Sequence, residues 1–239
     1  MKTTTSAIFA LCLIGLALGQ TDPKAEPKHL ADAIALLKKL DLKNTSYEHG
    51  GGKVSFAGTV QSHTDCSGFI DALLQHSYDY DEPQFKAWFG SKRPTAARYH
   101  DQILKQNGFI LIPSIKDAGA GDLVAVKYFH RKDNTGHVML VSGQPRKMEP
   151  KKPLVEGTEQ WEVKVIDSST SGHGTTDTRH AKGKDGKDHE GLGEGVLRIY
   201  ADKQGKVAGF AWSTLTASKF VEPKDEELVI GRLKPMFKP

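Results

Sequence analysis

The sequence predicts an α+β fold, with helices first and an antiparallel sheet second. Apolar residues recur at helical spacing only in segments that precede residue 107. From Phe109 onward they gather instead into short runs bounded by turn-forming residues, the texture of strands. A third observation sets the direction of the strands. The connections HRKDNTG (130–136) and DKQG (202–205) read as hairpin loops, which join antiparallel neighbours.

Residues 1–19, MKTTTSAIFALCLIGLALG, hold an early Lys2, an apolar run from Ala7 to Leu18 and the small residues Ala17 and Gly19. This is the pattern of a secretory signal peptide cleaved before Gln20, and it predicts a secreted or periplasmic protein. The apolar run, roughly 12 residues, falls short of the roughly 20 needed to cross a bilayer, so no stable membrane insertion is expected. Residues 20–28, QTDPKAEPK, read as a proline-punctuated tether, and residues 29–239 as one domain. About 220 residues are enough to bury a substantial core.

Within that domain, Leu30, Ala33, Ile34, Leu37 and Leu40 fall on one helical face. A glycine-rich loop, KNTSYEHGGGK, follows. Thr64 or Asp65 then caps a helix whose first turn holds Cys66 and whose buried stripe is Phe69, Ile70, Leu73 and Leu74. Gly68 is a poor helix former, so its presence there implies close packing against the backbone. A further helix is expected over Pro94–Gln106, with proline in its first turn and Asn107-Gly108 after its end. The strands are expected at 109–112, 122–129, 137–142, 161–167, 195–201 and 207–213. Between the fourth and fifth lies a loop at 169–195, rich in Gly, Lys, Asp and His, read as a mobile cover over the sheet edge.

The net charge of +4 is spread along the chain, which favours solubility and mild affinity for an anionic polymer such as a cell wall. Basic residues form no stripe with interleaved aromatics, so nucleic acid is not an expected partner. Trp88, Phe89, Trp161 and Trp212 read as core or rim packing. The spacings of His173, His180 and His189 fit no metal pattern, and no metal or other cofactor is expected.

The cysteines point to chemistry. Loss of the leader removes Cys12 and leaves Cys66 alone, so no internal disulfide is possible. A lone thiol is either a small buried hydrophobe or a nucleophile. Its place at a helix start, where unpaired N–H groups favour a thiolate, suits the second role. His137, opening an apolar strand, is either a satisfied structural histidine or the base such a thiol needs. Asp167, at the end of the next long strand, is either a turn former or the group that orients the histidine.

Four blocks recur in the same order in a known family. DCSGFIDAL (65–73), GDLVAV (121–126), GHVMLVSG (136–143) and VIDSS (165–169) resemble successive segments of the NlpC/P60 cysteine peptidases, and YEHGG (47–51) resembles that family's Tyr-x-x-Gly-Gly segment. The similarity spans roughly residues 45–170, a little over half the chain. It implies a papain-like fold and hydrolysis of amide bonds in peptidoglycan stem peptides, commonly after γ-linked D-glutamate, through a thioester. By the same resemblance Cys66 is the nucleophile and His137 the general base. Tyr47, Asp65 and Ser67 are expected at the substrate site, and the Cys66 N–H in the oxyanion hole.

The chain departs from the family in three places. The third polar residue is usually a histidine in an Ile-His-Ala-Ser pattern, whereas Ile166-Asp167-Ser168-Ser169 stands here, leaving Asp167 and His173 as two candidates. The segment KVSFAGTVQSH lengthens the path from the tyrosine to the cysteine, and the tail beyond residue 170 has no counterpart. Other readings keep the same residues: an amidase or acyltransferase using the Cys–His pair, or a wall-binding module with an inactive site.

Overall fold

A computed structural model of the chain describes residues 26–131, 133–180, 188–235 and 237–238. The expected leader and most of the tether lie outside the described residues. Helix α1 (Lys28–Lys39) begins directly after Pro27 and takes in the last tether residue. Leu30, Ala33 and Leu36 are buried, with Ile34, Leu37 and Leu40 packed against them, as the helical spacing requires.

The glycine-rich stretch after α1 is more ordered than a loop. Strands β1 (Thr45–Ser46), β2 (Gly52–Ser55) and β3 (Gln61–Thr64) form a small sheet in the order β1-β3-β2, so the segment read as a lengthened loop is a β2–β3 hairpin. The last strand feeds straight into α2 (Cys66–Tyr78), capped by the Asp65 carboxylate, which accepts the Gly68 N–H. Phe69, Ile70, Leu73 and Leu74 are fully buried. The close packing expected at Gly68 is there. A β-carbon would stand 2.2 Å from Thr64 Oγ1 and 2.8 Å from Arg93 Nη2.

Helix α3 (Glu82–Phe89) was not expected, although its start carries a capping box between Asp81 and Gln84. Helix α4 is Ala96–Leu104, shorter than the expected 94–106. Thr95 is still extended, with φ −87° and ψ 166°, so Pro94 precedes the helix instead of opening it. Positive φ at Gln106 and Gly108 turns the chain away after it.

The large sheet comprises β4 (Phe109–Leu111), β5 (Leu123–Tyr128), β6 (Gly136–Val141), β7 (Arg146–Lys147), β8 (Glu159–Ser169), β9 (Gly191–Ala201), β10 (Val207–Ala211) and β11 (Glu226–Leu233). Its order is β10-β9-β8-β6-β5-β11-β4, with β7 beside β8, and every pairing is antiparallel. The fold is therefore α+β. Strand β11 is a correction to the sequence reading: it returns from the C-terminal segment and inserts between β5 and β4.

Alternation divides the core between the two faces of this sheet. Leu123, Ala125, Val138 and Leu140 pack with α2 and α4 residues such as Phe69, Leu73, Tyr99 and Ile103. Val124, Val126, Met139 and Val141 join Val163, Val165, Leu197, Ile199 and Phe210 in a second cluster. The sheet curls enough to bring β10 and β11 into contact, which encloses the second cluster.

Candidate active site

Helix α2 starts where the small sheet ends, and this junction positions Cys66. Ser168 Oγ of β8 donates to the Thr64 carbonyl at 2.5 Å, so the residue beside Asp167 ties the large sheet to the strand that leads into Asp65-Cys66. The Gly68 N–H is taken by the Asp65 side chain and the Phe69 N–H by the Asp65 carbonyl. Helix geometry leaves the N–H groups of Cys66 and Ser67 without intrahelical partners. Cys66 itself is buried and unpaired.

His137 enters on β6 behind Gly136, which occupies φ 152° and lies so close to β5 that a β-carbon would stand 2.0 Å from the Val126 carbonyl oxygen. The register of β6 against β8, Leu140 with Ile166 and Val141 with Val165, puts the side chains of His137 and Asp167 on one face. There His137 Nε2 meets Asp167 Oδ2 at 2.5 Å, and Cys66 lies near enough to act on the charge of the ring. Burial disfavours an imidazolium, but the Cys66 sulfur and the Asp167 carboxylate outweigh it and raise the His137 pKa to about 10.

Asp167 is 0% exposed and sits at the centre of a larger group. His173 Nε2 meets the same Oδ2 at 3.0 Å, and its Nδ1 lies 2.9 Å from the Trp212 carbonyl. Arg179 Nη2 donates to Oδ1 at 2.9 Å. Burial alone would raise an acid; the Arg179 guanidinium and the two imidazoles instead hold Asp167 well below the usual carboxylate range. Of the two candidates for the third role, Asp167 is the one that touches His137, and His173 stands behind it.

A cleft of about 230 Å³ opens beside His137, walled by Tyr47, Tyr128, Arg131, His173 and Trp212. Burial, with the nearby carboxylates of Asp65 and Asp167, raises the Tyr47 pKa, so its hydroxyl keeps its proton and remains a donor. Trp212 stands edge-on to His137, with ring centroids 5.5 Å apart and planes at 85°, and stacks on His173. A cavity of about 800 Å³ lies elsewhere, among Pro27, Tyr78, Tyr80 and Phe237. Its one histidine, His29, has both ring nitrogens bonded, to the Tyr78 hydroxyl and the Gly121 carbonyl.

Of the residues expected from the sequence, the structure gathers Cys66, His137, Asp167 and Tyr47. Asp65 and Ser67 flank Cys66 at the start of α2, outside the residues that wall this cleft. The Asp65 carboxylate accepts from the N–H groups of Gly68 and Gly50, each at 2.8 Å, from Arg93 Nη2 at 2.9 Å and from the Ser67 hydroxyl at 3.2 Å. Its acceptors are filled by the backbone and side chains that shape the start of α2.

The loop reading of 169–195 is corrected as well. Strand β8 runs through Ser169, β9 begins at Gly191, and these two residues pair, so the connection is confined to 170–190. Within it His173 and Asp177 are each 4% exposed and Arg179 is 0% exposed, with a 3-10 turn at Thr178–His180. This part is a wall of the site, not a cover over it. Arg179 and Asp177 had no signal in the loop's composition. They had one in β9, where Gly191, Gly193 and Gly195 leave one face bare.

Among the described residues His137, Asp167 and His173 also form the grouping whose donor atoms lie within 4.8 Å of one another. The 2.5 Å contact between His137 and Asp167 is a direct hydrogen bond, closer than two ligands stand around an ion at about 2.0–2.2 Å from each. Arg179 already supplies the positive charge that Asp167 balances.

These features define an α+β protein with a buried Cys–His–Asp constellation at the junction of a helix start and a sheet. The chain is 34% identical over 223 residues to the uncharacterized protein R653 of Acanthamoeba polyphaga mimivirus, covering 87% of this chain and 97% of that protein. The chain belongs to the family of this mimivirus protein. No family model and no solved structure matches it.

Proposed function

We propose that this protein is a secreted cysteine peptidase with a papain-like NlpC/P60 fold, which hydrolyses amide bonds in bacterial cell-wall peptides, γ-D-glutamyl linkages first among them. The observation that carries the proposal is Cys66 in the first turn of α2, beside a buried histidine whose Nε2 is held by Asp167. The resemblance of the sequence blocks to that family supplies the substrate class.

In this reading His137 takes the Cys66 proton and the pair rests as thiolate and imidazolium. The sulfur attacks the amide carbon to give a tetrahedral oxyanion, which the unpaired helix-start N–H groups stabilise. The imidazolium passes its proton to the departing amine, leaving a thioester. His137, neutral again, removes a proton from water as it attacks the thioester, and the acid and thiolate are released. The Tyr47 hydroxyl, still protonated, is a donor for a substrate oxygen in the cleft.

The test uses the full chain and purified wall fragments with mass analysis of products, which separates peptidase from amidase and acyl transfer. Cys66→Ala and His137→Ala each lower kcat/KM by at least about 10³-fold with the fold intact by circular dichroism. Full activity in either variant ends the proposal. The imidazolium persists up to a pH of about 10, so on the alkaline side kcat/KM holds through neutral pH and falls as His137 loses its proton.

A further inference from the structure

The connection between β8 and β9 carries a buried cation with no place in the mechanism above. Arg179 is 0% exposed, and each of its five N–H groups has an acceptor. Nε donates to Asp177 Oδ1 at 2.8 Å. One terminal nitrogen reaches the main-chain carbonyls of Asp167 and Gly191, each at 3.1 Å. The other reaches Asp167 Oδ1 at 2.9 Å and Asp177 Oδ2 at 2.7 Å. Asp177 is itself anchored, because it accepts the backbone N–H groups of His173 and Arg179. Segment 173–179 is thus a closed unit laid against the end of β8.

Strand β9 is shaped to receive it. Gly193 stands directly opposite Asp167, and a β-carbon there would lie 2.7 Å from Arg179 Nε. At Gly195 a β-carbon would lie 2.1 Å from Asp177 Oδ2. Gly193 and Gly195 clear one face of the strand, and the guanidinium and its second carboxylate fill the space.

We propose that Arg179 is a positioning residue for the Cys66–His137 pair, its fork fixing Asp167 so that one carboxylate oxygen stays turned toward His137. The inference rests on the cysteine-peptidase reading and deepens it. With Oδ1 and the main-chain carbonyl of Asp167 both held by Arg179, Oδ2 is the oxygen left for the imidazoles. The groups facing Asp167 are His137 from β6, and His173 and Arg179 from the connection, with Asp177 behind and Tyr47 across the cleft. Those facing His137 are Cys66 from α2, Asp167 from β8 and Glu226 from β11. Arg179 acts most strongly among the groups that keep Asp167 ionised against burial. Without it Asp167 takes up a proton more readily, is free to rotate, and holds the imidazolium less well.

The test follows the pH dependence of Cys66 alkylation by iodoacetamide in the full chain, alongside the pH profile of kcat/KM on a wall peptide. In Arg179→Gln the alkylation midpoint and the acid limb of activity move to higher pH by about one unit, and kcat/KM falls about 10²-fold. Arg179→Lys returns the charge without the fork; it restores the acid limb but leaves the rate at least about tenfold low. A role confined to stapling the connection to the sheet lowers Tm and moves neither curve, and that result overturns the proposal. If Arg179→Gln does not fold, Arg179→Lys decides alone: an unchanged rate refutes the clamp, and a lowered rate with normal alkylation pH supports it. Failure of the unaltered chain to cleave any wall peptide removes the peptidase reading, while the alkylation arm still decides on Arg179.

Discussion

At the start of α2 and at the end of β8 the protein places two buried aspartates, each paired with an arginine. Asp65 meets Arg93 and Asp167 meets Arg179, each pair at 2.9 Å. Their other partners differ. Asp65 accepts backbone N–H groups from Gly68 and Gly50, so it shapes the main chain on either side of Cys66. Asp167 accepts from two imidazoles and no backbone, so it acts on side chains whose protonation matters. The arginines differ accordingly. Arg93 is partly exposed and also holds the Gly51 carbonyl, whereas Arg179 is enclosed and matched at every donor. The contrast teaches that the same ion pair braces a helix start in one place and fixes a buried charge beside two imidazoles in the other.

The sharpest way to break this comparison is to neutralise each acid without changing its shape. Asp167→Asn removes the charge that holds His137 and is expected to lower kcat/KM by about 10³–10⁴-fold. It also leaves Arg179 buried beside an amide, at a cost of about 3–5 kcal/mol in a urea titration. Asp65→Asn keeps a good helix cap and loses chiefly the Arg93 pair; about 1–2 kcal/mol of stability and less than tenfold in kcat/KM are expected. Equal kinetic losses in the two variants would show that Asp65 also acts on the chemistry.

A smaller effect lies in acid. Burial works against Asp65, Asp167 and Asp177 as anions, but their hydrogen bonds and arginines hold all three below the ordinary carboxylate value. The unfolded chain therefore takes up protons first as pH falls. The stability these groups contribute is fully present above about pH 4 and is lost below it. Thermal scans between pH 6 and pH 3 should show Tm falling with acid, and falling less steeply in Asp65→Asn.

Asp71 gives the smallest effect, with the opposite sign. Burial raises this acid well above its usual range; Tyr99 donates to Oδ1, and Oδ2 has no partner. Its folded pKa exceeds the unfolded one, so stability declines as pH rises past the unfolded value. Asp71→Asn keeps the acceptor for Tyr99 and removes the charge. A gain of about 1 kcal/mol at pH 7 is expected, and none at pH 3.5. A gain of equal size at both pH values would show that Asp71 is not a buried acid under strain.

The start of α2 was legible because its signals are local. Asp65 before Cys66, Gly68 three residues on, and the stripe from Phe69 to Leu74 sit within one turn or two of each other, where capping and periodicity act. His137 was legible as a polar residue opening an apolar strand, and Asp167 as a carboxylate closing one. The far side of Asp167 was not legible. Composition made the 170–190 connection look like a solvated loop, because His173, Asp177 and Arg179 are polar residues that become buried only by satisfying one another. That the Asp65 carboxylate is filled by the N–H groups of Gly68 and Gly50 was not legible either, because the Gly50 contact is made only when the small sheet brings that turn to the helix start.

The sequence by itself determined that the helices precede the large antiparallel sheet, the helix that presents Cys66 and the strand that carries His137, since these follow from period, caps and turns within short windows. Tertiary structure alone decided that Asp167 stands between two imidazoles, that β11 inserts between β5 and β4 from the C-terminal segment, and that Arg179 and Asp177 lie against Gly193 and Gly195. Those arrangements depend on which strands become neighbours, and on the demand that every charge removed from water find a partner, a condition that exists only once the chain has closed around it.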